Sequence, residues 1–166
     1  MTSTLIAGPG EEPLTLAEAK AWCRVDTTDD DALVTALIAA ARLHVESMTG
    51  RALIEQSWRL TLDCPKGRVI ELPVVPVIEI SSASADDVEI EVIVQGDSVL
   101  LPNEGYQSLE IEYSAGYGAD ADAVPTDLKQ ALLGLVAYCF ENRDASIAAP
   151  PVGLDRLLAG YKRVRV

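Results

Sequence analysis

Histidine is almost missing from this 166-residue chain: His44 is the only one. With it goes most of the material for general-base catalysis and for nitrogen-ligated metal sites. Cysteine is scarce too. Cys23, Cys64 and Cys139 are odd in number, far apart and form no CxxC, so a disulfide framework or zinc knuckle is not encoded and a reduced compartment is the simplest reading. Aromatic residues make up only 5% of the chain, which leaves Ala, Leu, Val and Ile to build the core. Lys and Arg number 13 against 26 Asp and Glu, for a net charge of -13. Binding that works by neutralising phosphates is thereby excluded for the molecule as a whole, although a wall past which DNA slides is not. The sequence opens on no charged and then apolar leader, and no uninterrupted apolar stretch reaches the roughly 18 to 20 residues that cross a bilayer. The expectation is a soluble, intracellular product of ordinary globular size, with no membrane partner.

What is present reads as α+β. Gly8, Pro9, Gly10 and Pro13 favour an extended or mobile arm over residues 1–13. Thr15 and Glu18 have capping-box spacing, opening a short helix that ends near Val25. Asp29, Asp30 and Asp31 stand at the positive end of a second helix over 29–49, whose Leu33, Val34, Leu37, Ile38, Ala41, Val45 and Met48 recur at helical spacing before Gly50. Between Ile54 and Gly118 the period changes to two. Trp58, Leu60 and Leu62 alternate with polar residues, as do Val88, Ile90 and Val92; further short runs at 69–72, 77–80, 98–101 and 109–113 suggest an antiparallel meander or small barrel-like sheet. Pro73 and Pro76 lack ladder donors and mark an edge or a crossover. A last long helix follows Pro125, with Leu128, Ala131, Leu132, Leu135, Val136, Cys139 and Phe140 on one face, and packs on the helix of 29–49.

Chemistry-bearing patterns are few. His44 lies mid-helix beside the apolar stripe and reads as a surface or interface side chain. The aspartates at 29–31 and the pair Asp120 and Asp122 match no EF-hand spacing, and read as helix-terminal charge and a solvated loop. Gly116-Tyr117-Gly118 lacks the context of a phosphate-binding turn and serves as a strand-to-helix connection. Trp22 and Trp58 read as space-filling anchors. No catalytic residue, metal ligand or cofactor is predicted; an enzyme would need Asp and Glu converging in a pocket with His44 or a metal. The charge itself is uneven: residues 1–154 carry 9 basic and 25 acidic side chains, a net of -16, whereas 155–166 carry a net of +3. Beyond a Pro-Pro break at 150–151, Leu154, Leu157, Leu158, Tyr161, Val164 and Val166 are interleaved with Arg156, Lys162, Arg163 and Arg165. Such a segment suits docking on an acidic or grooved partner, and equally suits folding back on its own acidic body.

Several motifs recur in a familiar order. They are Glu12-Pro13-Leu14-Thr15-Leu16-Ala17-Glu18-Ala19-Lys20, Asp30-Asp31 leading through Ala41 to Glu46, Thr49-Gly50-Arg51, Trp58, Leu72-Pro73 and Pro76-Val77. There follow Tyr113-Ser114-Ala115-Gly116-Tyr117-Gly118, Val124-Pro125 before Leu128-Lys129-Gln130-Ala131, Asn142-Arg143-Asp144, and Leu157-Leu158 with Tyr161 and Arg163. Together, over nearly the whole chain, these resemble the tailed-phage head-tail connector (adaptor, head-completion) family, including prophage and gene transfer agent relatives. The resemblance implies one connector domain: a small helical bundle core (14–50 and 125–145) interrupted by an antiparallel β-rich insertion (54–118), then a C-terminal docking segment (152–166). It implies a ring, commonly a dodecamer, under the portal of a phage-like particle; a tail that orders only on the portal would leave the free subunit monomeric in solution, since ordering costs entropy until the partner supplies contacts. The partners are the portal protein, the next neck, stopper or tail protein and further copies of the chain, and DNA passes the channel without specific binding. The expected location is the host cytoplasm during assembly and then the particle neck. Leu157, Leu158, Tyr161 and Arg163 carry over to the portal-facing segment; with Leu154, Lys162, Val164, Arg165 and Val166 they are the candidate portal-binding residues. The short linkage between the strands of 77–81 and 88–94 departs from the family pattern. An acidic interaction or adaptor domain of a bacterial complex outside any particle is the alternative reading.

Overall fold

The computed structural model describes residues 1–142 and 153–162. Thr15 opens α1 (Leu16–Cys23) with the reciprocal box read from the sequence: the Glu18 N–H donates to Thr15 Oγ1 at 3.2 Å and the Thr15 N–H to Glu18 Oε2 at 2.7 Å. Two donors that a helix start leaves orphaned are thereby satisfied. α2 (Asp31–Thr49) buries Val34, Ile38, Ala41 and Val45, and stops at Gly50, whose left-handed φ of 68° lets its N–H reach back to the Glu46 carbonyl. Asp31 pairs with Lys20 of α1, so this acid ties two helices as well as facing a helix dipole. α3 (Thr126–Glu141) buries Leu128, Ala131, Leu132, Leu135 and Val136. The three stripes meet in one cluster with Leu14, Leu53 and Ile54, and α3 packs on α2 as the periodicities predict. Among the described residues α2 alone has the length and composition to cross a bilayer. Scanning for uninterrupted runs does not find it because Arg42, His44 and Glu46 break the run. Its apolar stripe is spent inside this core, which accounts for the composition.

The strands are β1 (Thr2–Ala7), β2 (Gln56–Asp63), β3 (Val69–Glu71), β4 (Val77–Ala85), β5 (Val88–Glu89), β6 (Ile93–Gln95), β7 (Ser98–Leu100) and β8 (Ser108–Ala115). They do not form a meander. One sheet has the order β1-β2-β8-β4-β5 and a second β3-β7-β6, and every pairing is antiparallel. The reason lies at Leu72–Pro76. Pro73 and Pro76 cannot donate to a ladder, so the chain leaves β3 without a hairpin and crosses to the other sheet. β2 instead pairs with β8, through an unbroken register from Gln56↔Ala115 to Asp63↔Ser108. The alternation at 88–92 holds only at its start: β5 stops at Glu89, the Ile90 N–H still donates to the Ala83 carbonyl at 2.9 Å, and the chain then leaves the ladder while Ile90 and Val92 pack against the core. β4 and β5 are joined by Asp86 and Asp87, both at positive φ (51° and 64°), the backbone that a tight two-residue hairpin demands. Nor is the arm simply loose, since Thr2–Ala7 is hydrogen-bonded to β2 as an edge strand. Leu60, Ile70, Leu72, Val99, Leu101, Leu109, Ile111 and Tyr113 form a second core between the two sheets.

The two cores join at the Gly116-Tyr117-Gly118 connection. Gly116 has φ 146°, and a Cβ there would lie 2.7 Å from the Ile54 carbonyl and the Glu55 nitrogen. The Glu55 N–H donates to the Gly118 carbonyl at 2.8 Å, so strand and helix connections are laced backbone to backbone. Gly116→Ala should therefore cost about 2 to 4 kcal/mol through a backbone clash and an unfavourable φ. A urea denaturation midpoint that is unchanged in this variant would contradict the assignment.

Candidate functional site

The C-terminal segment is the strongest candidate that the sequence offers. Its described part is α4 (Leu154–Leu158) and the turn after it to Lys162. Leu154 (4% exposed) and Leu158 (0%) belong to the helical core, while Leu157, on the flank of the same turn, is 45% exposed. Tyr161 packs against the same core, and its hydroxyl donates to the Asp127 carboxylate at 2.7 Å. Arg51 binds the segment from the other side: its Nε donates to the Tyr161 carbonyl at 3.1 Å and its guanidinium carbon lies 5.7 Å from the centre of the Tyr161 ring. Lys162 Nζ pairs with Asp155 at 2.7 Å. Arg163, Val164, Arg165 and Val166 lie outside the described residues, as do the Pro-Pro break and the residues Arg143 and Asp144. In the single chain the segment is thus folded onto its body by Leu154, Leu158 and Tyr161, with Arg156, Leu157 and Lys162 facing outward. The sequence raised docking and folding back as alternatives; a five-residue helix with one buried and one open face accommodates both.

The hydrogen bond to Asp127, with smaller contributions from burial and the negative charge of that carboxylate, pushes the Tyr161 phenol up to about 12. The neutral hydroxyl is therefore the form that the fold binds.

Other candidates resolve into structure. Burial raises the Cys23 and Cys139 thiols above their ordinary range, the reverse of an activated nucleophile. Asp122 faces Lys129 at 3.7 Å. Among the described residues no three His, Cys, Asp or Glu side chains stand close enough to hold a metal ion. A cleft of about 320 Å³ between α2 and β2 is lined by Leu43, Glu46, Arg51, Gln56, Trp58 and Val74. Its acid is already engaged: Glu46 Oε1 accepts from the Leu53 N–H (3.0 Å) and Gln56 Nε2 (2.8 Å), and Oε2 accepts from Arg42 (3.0 Å). Arg42, itself buried, reaches Glu12 at 2.8 Å. Burial pushes the Glu46 carboxyl above its ordinary value, opposed by the Leu53, Arg42 and Gln56 contacts. Sequence reading missed this network, although a Glu four residues after an Arg on one helix is a visible signal.

Comparison with known proteins then decides the family. The profile of the family described as Head completion protein matches residues 12–148. The chain belongs to the head completion protein family. That is a family of structural proteins of phage-like particles rather than of enzymes, and head completion is this protein's role. Chains of solved gene transfer agent (GTA) particles are similar along their whole length. One, from the virion of the native particle, is 27% identical with a TM-score of 0.83. Others, from the neck of the native particle computed with C12 symmetry and of the empty particle computed with C6 symmetry, are each 26% identical, with TM-scores of 0.82 and 0.81. Each alignment covers 100% of this chain and 97% of the other. No curated protein matches. The family profile leaves out β1 and α4, so only the structural likenesses extend over the arm and the C-terminal segment.

Two substitutions test how this head completion protein holds its last segment. Leu158→Ala should cost about 2 to 5 kcal/mol of stability. Tyr161→Phe should cost only about 1 kcal/mol and speed amide exchange across 153–162 selectively. Because the folded-state phenol titrates higher than the ordinary value of about 10, its contribution is complete below pH 10 and is lost as the pH rises through about 12. Exchange in 153–162 that ignores both substitutions would contradict the anchoring.

Proposed function

We propose that this head completion protein is a head-tail connector (adaptor) subunit, twelve copies of which close a ring under the portal and bridge it to the next neck, stopper or tail protein around the DNA channel. The observation that supports this reading is the end-to-end similarity to a chain from the neck of a GTA particle computed with C12 symmetry. A ring of identical copies joins one face of a subunit to a different face of its neighbour, and closes only at a fixed rotation. The whole chain acts as one connector domain, with the helical core as scaffold and the β-rich insertion supplying lateral contacts.

Charge fits the same task. An acidic wall repels the phosphates of a genome in transit and gives it nowhere to arrest, so DNA passes without specific binding. At -13 per copy, free subunits repel one another and stay monomeric in the cytoplasm until the portal gathers them. The basic end then grips the portal. Leu154, Leu158 and Tyr161 hold the base of the segment, while Leu157, Lys162, Arg163, Val164, Arg165 and Val166 make the contact, apolar residues for area and basic ones for an acidic surface. No cofactor, metal or membrane enters.

Because Leu154 and Leu158 belong to the core, removing the whole segment would confound binding with folding. The discriminating variant lacks 163–166 and carries Leu157→Asp and Lys162→Glu. Its thermal midpoint should be unchanged, while capture by purified portal should fall at least about tenfold, the loss equivalent to about 1.4 kcal/mol. Undiminished capture would remove the tail from the interface, and necks imaged without a ring of this chain would remove the connector reading itself.

A further inference from the structure

The cleft between α2 and β2 adjoins the place where the C-terminal segment leaves the body. Its α2 wall is the stripe Leu43, Ser47 and Gly50, on the opposite side of the helix from the buried Val34, Ile38, Ala41 and Val45. Trp58 and Val74, both partly exposed, face that stripe. Glu46 is already bonded through both oxygens, so what the cleft offers an occupant is apolar. Leu43 stands at the far end from Gly50 and is 58% exposed, a large apolar side chain left open on a helix whose other stripe is fully used. The near end is marked by Arg51. This residue lines the cleft, and its Nε holds the Tyr161 carbonyl at 3.1 Å. The chain therefore reaches Lys162 within one arginine side chain of the cleft, and the residues that follow are Arg163-Val164-Arg165-Val166.

We infer that in the unassembled subunit this cleft is the seat of the chain's own residues 163–166, with Val164 and Val166 turned into it and Arg163 and Arg165 turned out, and that the portal gains the tail by displacing it from there. The displacement rests on the portal contact proposed above; the seat does not. Position, length and pattern all select this occupant. Arg51 brings the start of the tail to the mouth of the cleft. From Gly50 back to Leu43 the helix runs about 10 Å, and four extended residues reach about 13 Å. Alternate side chains of an extended chain point to opposite sides, so the two valines share a face that suits an apolar cleft while the two arginines meet water and a body whose residues 1–154 carry a net of -16. A segment tethered beside its site binds as though concentrated, so a contact too weak to hold a separate peptide still keeps the seat filled. The seat also withholds the valines from unrelated apolar surfaces before assembly.

Trp58 reports on the seat. The chain has two tryptophans, and Trp22→Phe, at a side chain that is 49% exposed, leaves Trp58 as the sole indole emitter. Removing 163–166 keeps Leu158 and Tyr161 in place; it should shift the Trp58 emission to the red and increase its quenching by acrylamide. Val164→Ser/Val166→Ser in the full-length chain should do the same. In a Trp58→Phe chain the Trp22 emission should ignore both changes. Trp58 emission that ignores the truncation, or Trp22 emission that follows it, would overturn the seat and leave the connector reading standing. Displacement is read separately with Leu43→Arg, which spoils the far end of the cleft and leaves the tail intact. Capture by purified portal should then tighten about threefold, as the fraction of chains with an unseated tail rises. Capture that is unchanged or weakened would overturn the displacement, and capture by no form of the chain would overturn the connector reading while the fluorescence result stands.

Discussion

The carboxylate of Glu46 is shared among three parts of the chain. One oxygen takes the Leu53 N–H and the Gln56 side chain, where the chain enters β2; the other takes Arg42, one helical turn back, which carries the link on to Glu12 at the foot of the arm. Arm, helical core and sheet therefore meet at a single, partly buried acid. Burying a charge in this way is expensive, and the raised affinity of Glu46 for a proton is the sign of that cost. What offsets it is completeness, since both oxygens are bonded and the facing guanidinium has a second acid. A network of this kind says more about how uniquely the parts are oriented than about how much they are stabilised. In the proposed ring, orientation is the quantity that matters, because a small angular error is repeated at every interface.

Much of this could be read from the residues. Capping at Thr15 and Glu18, the stripe from Val34 to Val45, the stop at Gly50 and the stripe from Leu128 to Val136 are local rules, and all operate where the sequence puts them. The strands were visible one at a time, but their partners were not. Alternation reports which side chains face inward and carries no information about which neighbour is adjacent, so Val92 points correctly to burial and wrongly to a ladder. Pro73 and Pro76 did announce the crossover that splits the sheet. Asp86-Asp87 was a weaker hairpin signal than Asn-Gly, as aspartate tolerates the left-handed region without demanding it.

The C-terminal segment was legible in chemistry and ambiguous in placement. Its leucines at 154, 157 and 158 look alike in a list, yet a single turn of helix sends two inward and one out. The same turn reconciles two demands that composition left in competition. Tyr161 and Arg51 fix the segment to an acidic body, while Leu157 faces outward and Lys162 pairs with Asp155 at the surface.

The unbroken pairing of β2 with β8 has an evolutionary corollary. The chain from Cys64 to Gln107 starts and finishes at two adjacent ends of that pair, and returns to it in between, where β4 lies along the other edge of β8. Whatever is spliced into the turns between β5 and β7, whether a larger lobe or a smaller one, reaches the helices only through that sheet and leaves their geometry alone. The lobe is in that sense an interchangeable fitting: a lineage can resize what the subunit offers to its surroundings without redesigning the frame that carries it.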